Sequence, residues 1–88
     1  MSYAIYKYKL DSFGHKIKVP KGAKILSVGV QSGDIFIWAL VDRYAEPVYR
    51  KIMIYGTGHN ADTAINEKFI GTVFIGPLVF HIFDFGEI

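Results

Sequence analysis

Hydrophobic and polar residues alternate along most of the chain, and this period of two predicts β-strands rather than helices. Tyr6, Tyr8 and Leu10 share one face of the first segment, and two lysines occupy the other face. Such a pattern is typical of a half-buried strand with its apolar face towards a core. The alternation of apolar residues with lysine resumes at 15–19, which predicts a second strand.

The third and fourth predicted strands differ in how many faces they must bury. The third, at 24–31, points Leu26, Val28 and Val30 to one face. The fourth, at 34–42, is apolar on both faces and is the best candidate for a central strand. Only two residues separate these segments, which predicts a tight hairpin.

Three more strands complete the pattern, at 48–55, 69–75 and 78–85. Before the sixth strand, a short helical turn is predicted to end at Glu67, with Asp62 or Thr63 as its cap. The sequence therefore predicts an all-β fold, a small antiparallel β-sandwich or barrel of about six to seven short strands, with at most one short helical turn. A five-stranded barrel of the oligonucleotide-binding type is the alternative.

Length and composition narrow the class of protein. The 88 residues form one predicted domain, 1–88, and 51% of them are hydrophobic, which excludes a disordered chain. Because the chain has no cysteine, disulfides, thiolate nucleophiles and zinc ribbons are excluded. None of its three histidines is spaced from another His, Asp or Glu in a recognised ligand pattern, so we expect neither a metal site nor a cofactor.

Hydropathy also bears on location. The longest uncharged segment, 69–83, is shorter than the roughly 20 residues that span a bilayer, so no membrane association is expected. Residues 1–10 lack the apolar stretch of a signal peptide, which predicts a cytoplasmic protein.

Positive charge is concentrated near the N-terminus, although the net charge of the chain is only +2. Residues 1–24 contain six lysines and one aspartate, a net charge of +5. Lysines interleaved with tyrosines indicate a possible face for single-stranded nucleic acid. The residues of this predicted face are Lys7, Lys9, Lys16, Lys18, Lys21 and Lys24. Solvated lysines on two edge strands, which prevent aggregation, explain the same pattern.

The most distinctive local segment is a possible ligand loop made of Gly56, Thr57, Gly58, His59 and Asn60. Two glycines let the backbone approach a ligand closely, and the three polar side chains offer hydrogen-bond donors. The segment lacks the third glycine of a dinucleotide fingerprint and the ending of a phosphate loop. A tight turn that requires positive φ is the alternative interpretation.

No catalytic constellation is evident. None of the serines lies in a Gly-x-Ser-x-Gly elbow, and the carboxylates are scattered at strand ends, so we predict that the protein is not an enzyme. Aromatic residues, by contrast, exceed what one face of a small sheet needs, which predicts contact with a protein partner or with a second copy as a homo-oligomer. The predicted interaction residues are Trp38, Phe36, Tyr55 and His81.

Six blocks spread over the chain resemble a family of small, uncharacterised proteins common in tailed bacteriophages. They are 4–8 (AIYKY), 23–28 (AKILSV), 37–42 (IWALVD), 54–59 (IYGTGH), 69–73 (FIGTV) and 79–83 (VFHIF). The resemblance implies a phage or prophage accessory protein in the bacterial host cytoplasm, and it implies no catalytic residue.

Together these observations predict a non-enzymatic module that binds or modulates a host protein. A single-stranded nucleic-acid-binding β-barrel that uses the N-terminal lysines is the first alternative. A virion-associated structural protein is the second.

Overall fold

The strands of the computed structural model, which describes residues 2–11 and 13–88, follow the predicted order. They are β1 (Tyr3–Leu10), β2 (Gly14–Pro20), β3 (Lys24–Gln31), β4 (Asp34–Asp42), β5 (Pro47–Gly56), β6 (Lys68–Ile75) and β7 (Leu78–Glu87). A 3-10 turn at Asp62–Ala64 precedes β6. The all-β prediction is confirmed for the described residues, with seven strands and one short helical turn. No helix in these ranges is long and apolar enough to cross a membrane.

The strands form two antiparallel sheets that face each other. The three-stranded sheet has the order β1-β4-β3, and the four-stranded sheet has the order β2-β5-β7-β6. The fold is therefore a β-sandwich rather than a five-stranded barrel, and β4 is a central strand as predicted. The sheets approach closely along β3 and β6, where a Cβ added to Gly71 would lie 2.8 Å from Val28 Cγ1.

The space between the sheets is filled with aliphatic side chains. The largest fully buried residues are Val19, Ile37, Val41, Ile52 and Ile82. Each comes from the inward face of an alternating strand, so local periodicity and tertiary burial agree there.

The predicted alternation in β3 fails at one position. The pairing between β3 and β4 shifts between Ile25 and Ser27, which makes Leu26 the extra residue of a β-bulge. Ile25, rather than Leu26, is buried, and Val28 packs against the same core. The prediction that Leu26 points the same way as Val28 was wrong, and Leu26 is 44% exposed.

A charged pair lies at one end of the interior. The Arg50 guanidinium donates to both carboxylate oxygens of Asp84, from Nε to Oδ1 at 2.9 Å and from Nη2 to Oδ2 at 2.6 Å. Its Nη1 donates to the carbonyl of Ala23 at 2.6 Å, and the Gly86 amide donates to Asp84 Oδ1 at 2.8 Å. The pair thus joins β5, β7 and the turn between β2 and β3.

The environment of Asp84 favours its charged form. Burial alone raises the pKa of a carboxyl group. The hydrogen bonds from Arg50 and Gly86, together with the positive charges of Arg50 and Lys68, outweigh burial and lower the pKa of Asp84 below its usual value. Asp84 therefore stabilises the fold as a carboxylate.

We predict that Asp84→Asn lowers the free energy of unfolding by about 3 kcal/mol at pH 7, because it removes the closer carboxylate partner of the largely buried Arg50 and leaves only Glu87 Oε2, at 3.9 Å. Since the folded pKa lies below the unfolded one, the stabilisation by Asp84 is present above about pH 4 and is lost as the pH falls further. Urea unfolding at pH 7 and at several lower pH values measures both effects. Glu46→Gln, which removes an exposed ion pair with Lys21, is the control. Equal losses in the two variants at pH 7 would contradict this account.

Candidate functional site

The outer side of the three-stranded sheet carries two of the predicted interaction residues, Phe36 and Trp38. Phe36 and Trp38 are half-buried on the outer side of β4, with ring centroids 6.4 Å apart. Their neighbours on β3 are small, since Gly29 pairs with Phe36 and Ser27 pairs with Trp38. The small neighbours leave the rings accessible from outside.

Other apolar residues lie on the same outer side of the sheet, and Ile5 is the direct cross-strand partner of Leu40. Tyr3 and Ile5 lie on the same side of β1 and are 58% and 59% exposed. We call this surface the apolar face; it consists of Tyr3, Ile5, Leu26, Phe36, Trp38 and Leu40. Tyr3 and Ile5 were not among the predicted interaction residues, although the alternation that directs Tyr6 and Tyr8 to the inner side of the sheet directs Tyr3 and Ile5 to the outer side. Tyr6 lies on the inner side but is still 41% exposed.

The rings of the apolar face are held in place. The Lys7 ammonium lies 4.7 Å from the centroid of the Phe36 ring and donates to Gln31 Oε1 at 2.9 Å. Trp38 packs over Gly29, where an added Cβ would come within 3.2 Å of the indole. Both aromatic side chains therefore have contacts within the chain that favour these positions.

Five of the six predicted nucleic-acid lysines lie on two opposite faces, and the sixth, Lys21, lies in the turn between β2 and β3. The side chains of Lys7, Lys9 and Lys24 are on the outer side of the three-stranded sheet, and those of Lys16 and Lys18 are on the outer side of the four-stranded sheet. The separation arises because β1 and β2 are consecutive in sequence but belong to different sheets.

Three of these lysines already have intramolecular partners. Lys7 contacts Gln31 and the Phe36 ring. Lys9 Nζ lies 3.8 Å from Asp11 Oδ1 and 3.6 Å from Asp34 Oδ2. In the turn after β2, Lys21 Nζ lies 3.6 Å from Glu46 Oε1.

Tyr55 and His81 occupy the outer side of the four-stranded sheet, so the four predicted interaction residues do not form one cluster. Tyr55 is only 9% exposed, and its hydroxyl is 2.8 Å from Thr63 Oγ1. Its ring meets the edge of Phe83 at a centroid distance of 5.6 Å. Tyr55 thus anchors the connection between β5 and β6 to the sheet.

Both ring nitrogens of His81 are within hydrogen-bond distance of threonine hydroxyls. The distance from Nε2 to Thr57 Oγ1 is 2.7 Å, and that from Nδ1 to Thr72 Oγ1 is 2.9 Å. In the neutral tautomers one nitrogen donates and the other accepts. In catalytic sites, a histidine base that activates a nucleophile is usually oriented by a third group, commonly a carboxylate that stabilises the imidazolium. Here the group at each ring nitrogen of His81 is a neutral threonine hydroxyl. The arrangement is better suited to bridging β6, β7 and the loop after β5.

The segment Gly56–Asn60 forms a turn. Gly58 has a φ of +87°, a conformation that other residues adopt only with strain, and the His59 amide donates to the Gly56 carbonyl at 3.1 Å. Asn60 Oδ1 accepts from the Asp62 amide at 3.1 Å, so Asn60 supports the start of the 3-10 turn. Neither Asp62 nor Thr63, the two predicted caps, forms a capping hydrogen bond there.

Two shallow clefts flank this turn. One, of about 280 Å³, lies between the turn and the side chains of Phe69 and Phe83, and the other, of about 350 Å³, borders Pro77 and Leu78. Thr57 and Asn60 already form hydrogen bonds within the turn region, so His59 is the loop side chain best placed to meet a ligand. Within 2–11 and 13–88, no group of three His, Asp or Glu residues is arranged to hold a metal ion.

The fold and these surfaces define a small two-sheet β-sandwich with an apolar outer face. The chain belongs to the family described as Domain of unknown function (DUF7352), whose model matches residues 1–87. No curated protein and no solved structure matches the chain at a significant level.

We predict that His81→Ala lowers the free energy of unfolding by about 1–2 kcal/mol, because it removes a half-buried ring and its two solvent-exposed hydrogen bonds. The matched control, His59→Ala, removes an exposed ring and is expected to change stability by less than about 0.5 kcal/mol. Chemical denaturation of both variants measures the difference. A stability unchanged by His81→Ala would rule out the bridging role.

Proposed function

We propose that the protein is a non-enzymatic interaction module that binds another protein through its apolar face. The observation that carries this proposal is the exposure of Tyr3 and Ile5 beside the half-buried rings of Phe36 and Trp38. Tryptophan and tyrosine are enriched among the residues that dominate binding energy at protein interfaces. Contiguous exposed apolar patches are uncommon on monomeric proteins and mark interaction sites.

The order of the apolar face supports binding. Trp38 is fixed over Gly29, and Phe36 lies under the Lys7 ammonium, so these rings lose little conformational freedom when a partner covers them. Side chains that must be immobilised at an interface each reduce affinity. A pre-ordered aromatic pair avoids that loss.

The neighbouring edge of β1 also suits a protein partner. The Arg43 amide donates to the Ser2 carbonyl at 2.8 Å, which sets the parity of the ladder between β1 and β4. By that parity, the backbone amides and carbonyls of Ile5, Lys7 and Lys9 point away from β4. A partner strand could add there, in line with the apolar face.

Charge favours a different protein over a second copy. Lys7 and Lys9 stand on the β1 edge, and lysines on edge strands discourage identical edges from pairing. A partner with carboxylates near its apolar contact residues would complement them. A homodimer would instead be detected as self-association in sedimentation equilibrium.

The biological setting rests on the sequence resemblance. A phage or prophage accessory protein would act in the bacterial cytoplasm, where a host protein would be its target. A structural role in the virion is the alternative, and purified particles that retain the protein would support it.

We predict that Ile5→Glu weakens partner binding at least about ten-fold, because it places a carboxylate in the apolar face. Ile65→Glu is the matched control, since Ile65 is 84% exposed in the connection between β5 and β6. Tagged wild type and both variants are used to capture partners from nuclease-treated bacterial lysate, and sedimentation equilibrium reports self-association.

The proposal requires a stoichiometric partner, or a dimer, that wild type and Ile65→Glu retain and Ile5→Glu loses. A monomeric wild type without any retained partner would refute it. Equal capture by the two variants would show that the apolar face is not the contact surface.

A further inference from the structure

Two lysines face each other on the outer side of the four-stranded sheet. Lys16 of β2 and Lys51 of β5 are direct cross-strand partners, and Lys18 follows two residues later on the same side of β2. Like charges in directly opposed positions destabilise a sheet. The sequence gives no sign of this pair, because Lys51 lies far from the N-terminal lysines along the chain.

These three lysines lack the ion pairs that engage other lysines. Within the described ranges, the lysines that form ion pairs with carboxylates are Lys9 and Lys21. No carboxylate there lies within ion-pair distance of Lys16, Lys18 or Lys51. The positive charge on this side of the sandwich is therefore available to an external anion.

Aromatic rings accompany the three charges. Tyr49 is the cross-strand partner of Lys18 and is 54% exposed. The Lys51 ammonium lies 5.2 Å from the centroid of the half-buried Phe85 ring. We call this surface the basic face; it consists of Lys16, Lys18, Tyr49, Lys51 and Phe85.

We propose that the basic face binds single-stranded nucleic acid, with the lysines at the phosphates and Tyr49 stacked on a base. Unpaired ammonium groups beside an exposed aromatic ring match a ligand that carries both phosphates and unstacked bases. A duplex would offer the phosphates but keep its bases stacked and out of reach of Tyr49.

The basic face contains only some of the six lysines that the sequence predicted to bind nucleic acid. Lys7, Lys9 and Lys21 have partners within the chain, and Lys24 lies on the opposite side of the sandwich. Lys16 and Lys18 remain, and the structure adds Lys51. Because the basic face and the apolar face belong to different sheets, this proposal and the proposed function succeed or fail independently.

The variant Lys16→Glu distinguishes a loss of nucleic-acid binding from a loss of folding. The substitution replaces the repulsion between Lys16 and Lys51 with an attraction, so we expect the Tm to rise or to stay unchanged. The same variant loses a phosphate contact, so we expect its Kd for a fluorescently labelled 12-nucleotide oligo(dT) to rise about ten-fold in 50 mM salt. Fluorescence anisotropy measures the Kd, and circular dichroism measures the Tm.

The matched control for charge is Lys24→Glu, which makes the same charge change on the other outer face. Lys24 is exposed and paired across the sheet with Leu40, and we expect less than a two-fold change in Kd. The slope of log Kd against log salt should fall by about 0.7 in Lys16→Glu, the value for one phosphate contact on a single strand.

The matched pair for stacking is Tyr49→Ala and Tyr44→Ala. Tyr44 is 79% exposed in the turn after β4, where its ring lies 5.9 Å from the Arg43 guanidinium, and it is not part of the basic face. We expect Tyr49→Ala to raise the Kd about ten-fold and Tyr44→Ala to leave it unchanged.

Three results would each overturn the proposal. One is wild type that fails to bind oligo(dT) in 50 mM salt. Another is equal weakening by Lys16→Glu and Lys24→Glu, which would mean non-specific attraction. The third is an unchanged Kd for Tyr49→Ala, which would show that a generic polyanion satisfies the face.

Discussion

The buried pair of Arg50 and Asp84 constrains much of the structure around it. A charge inside an apolar interior is tolerated only when it is paired and its remaining hydrogen bonds are made. Here the carbonyl of Ala23 and the amide of Gly86 complete the set. The pairing between β5 and β7 shifts next to Asp84, so Asp84 faces inward while the Phe85 ring lies under Lys51 on the outside. Pairing Asp84 with Arg50 in the interior therefore places the Phe85 ring on the outer side of the four-stranded sheet.

The interior between the sheets is built from aliphatic residues, and this choice leaves the aromatic residues for the surfaces. Ile37, Ile52 and Ile82 are fully buried, whereas Phe36 and Trp38 are half-buried on the outside. Tyr8 and Phe80 pack against the aliphatic core, and other aromatic residues lie on the outer sides of the two sheets. The apolar face lies on the outer side of the three-stranded sheet, and the basic face lies along β2 and β5 on the outer side of the four-stranded sheet, so the two face in opposite directions.

Much of the fold was predictable because the alternation that indicates a strand involves only residues close together in the sequence. The predicted bounds of β3 and β4, 24–31 and 34–42, are those of the structure. The tight turn at Gly58 was one of two interpretations weighed, and its positive φ agrees with it. The inward face of β3 was less predictable, because the bulge at Leu26 depends on how β3 pairs with β4.

The candidate sites depended on non-local pairing. Alternation together with the turn signals between segments predicted antiparallel strands, and alternation placed the lysines of β1 and β2 on the side opposite the apolar residues, because side-chain direction along a strand follows from a period of two. Only the tertiary structure decided that β1 and β2 enter different sheets, which separates Lys7 from Lys16, and that β5 lies beside β2, which brings Lys51 to Lys16. Strand order and register are set by burial across the whole sandwich, and no local stretch of sequence contains that information.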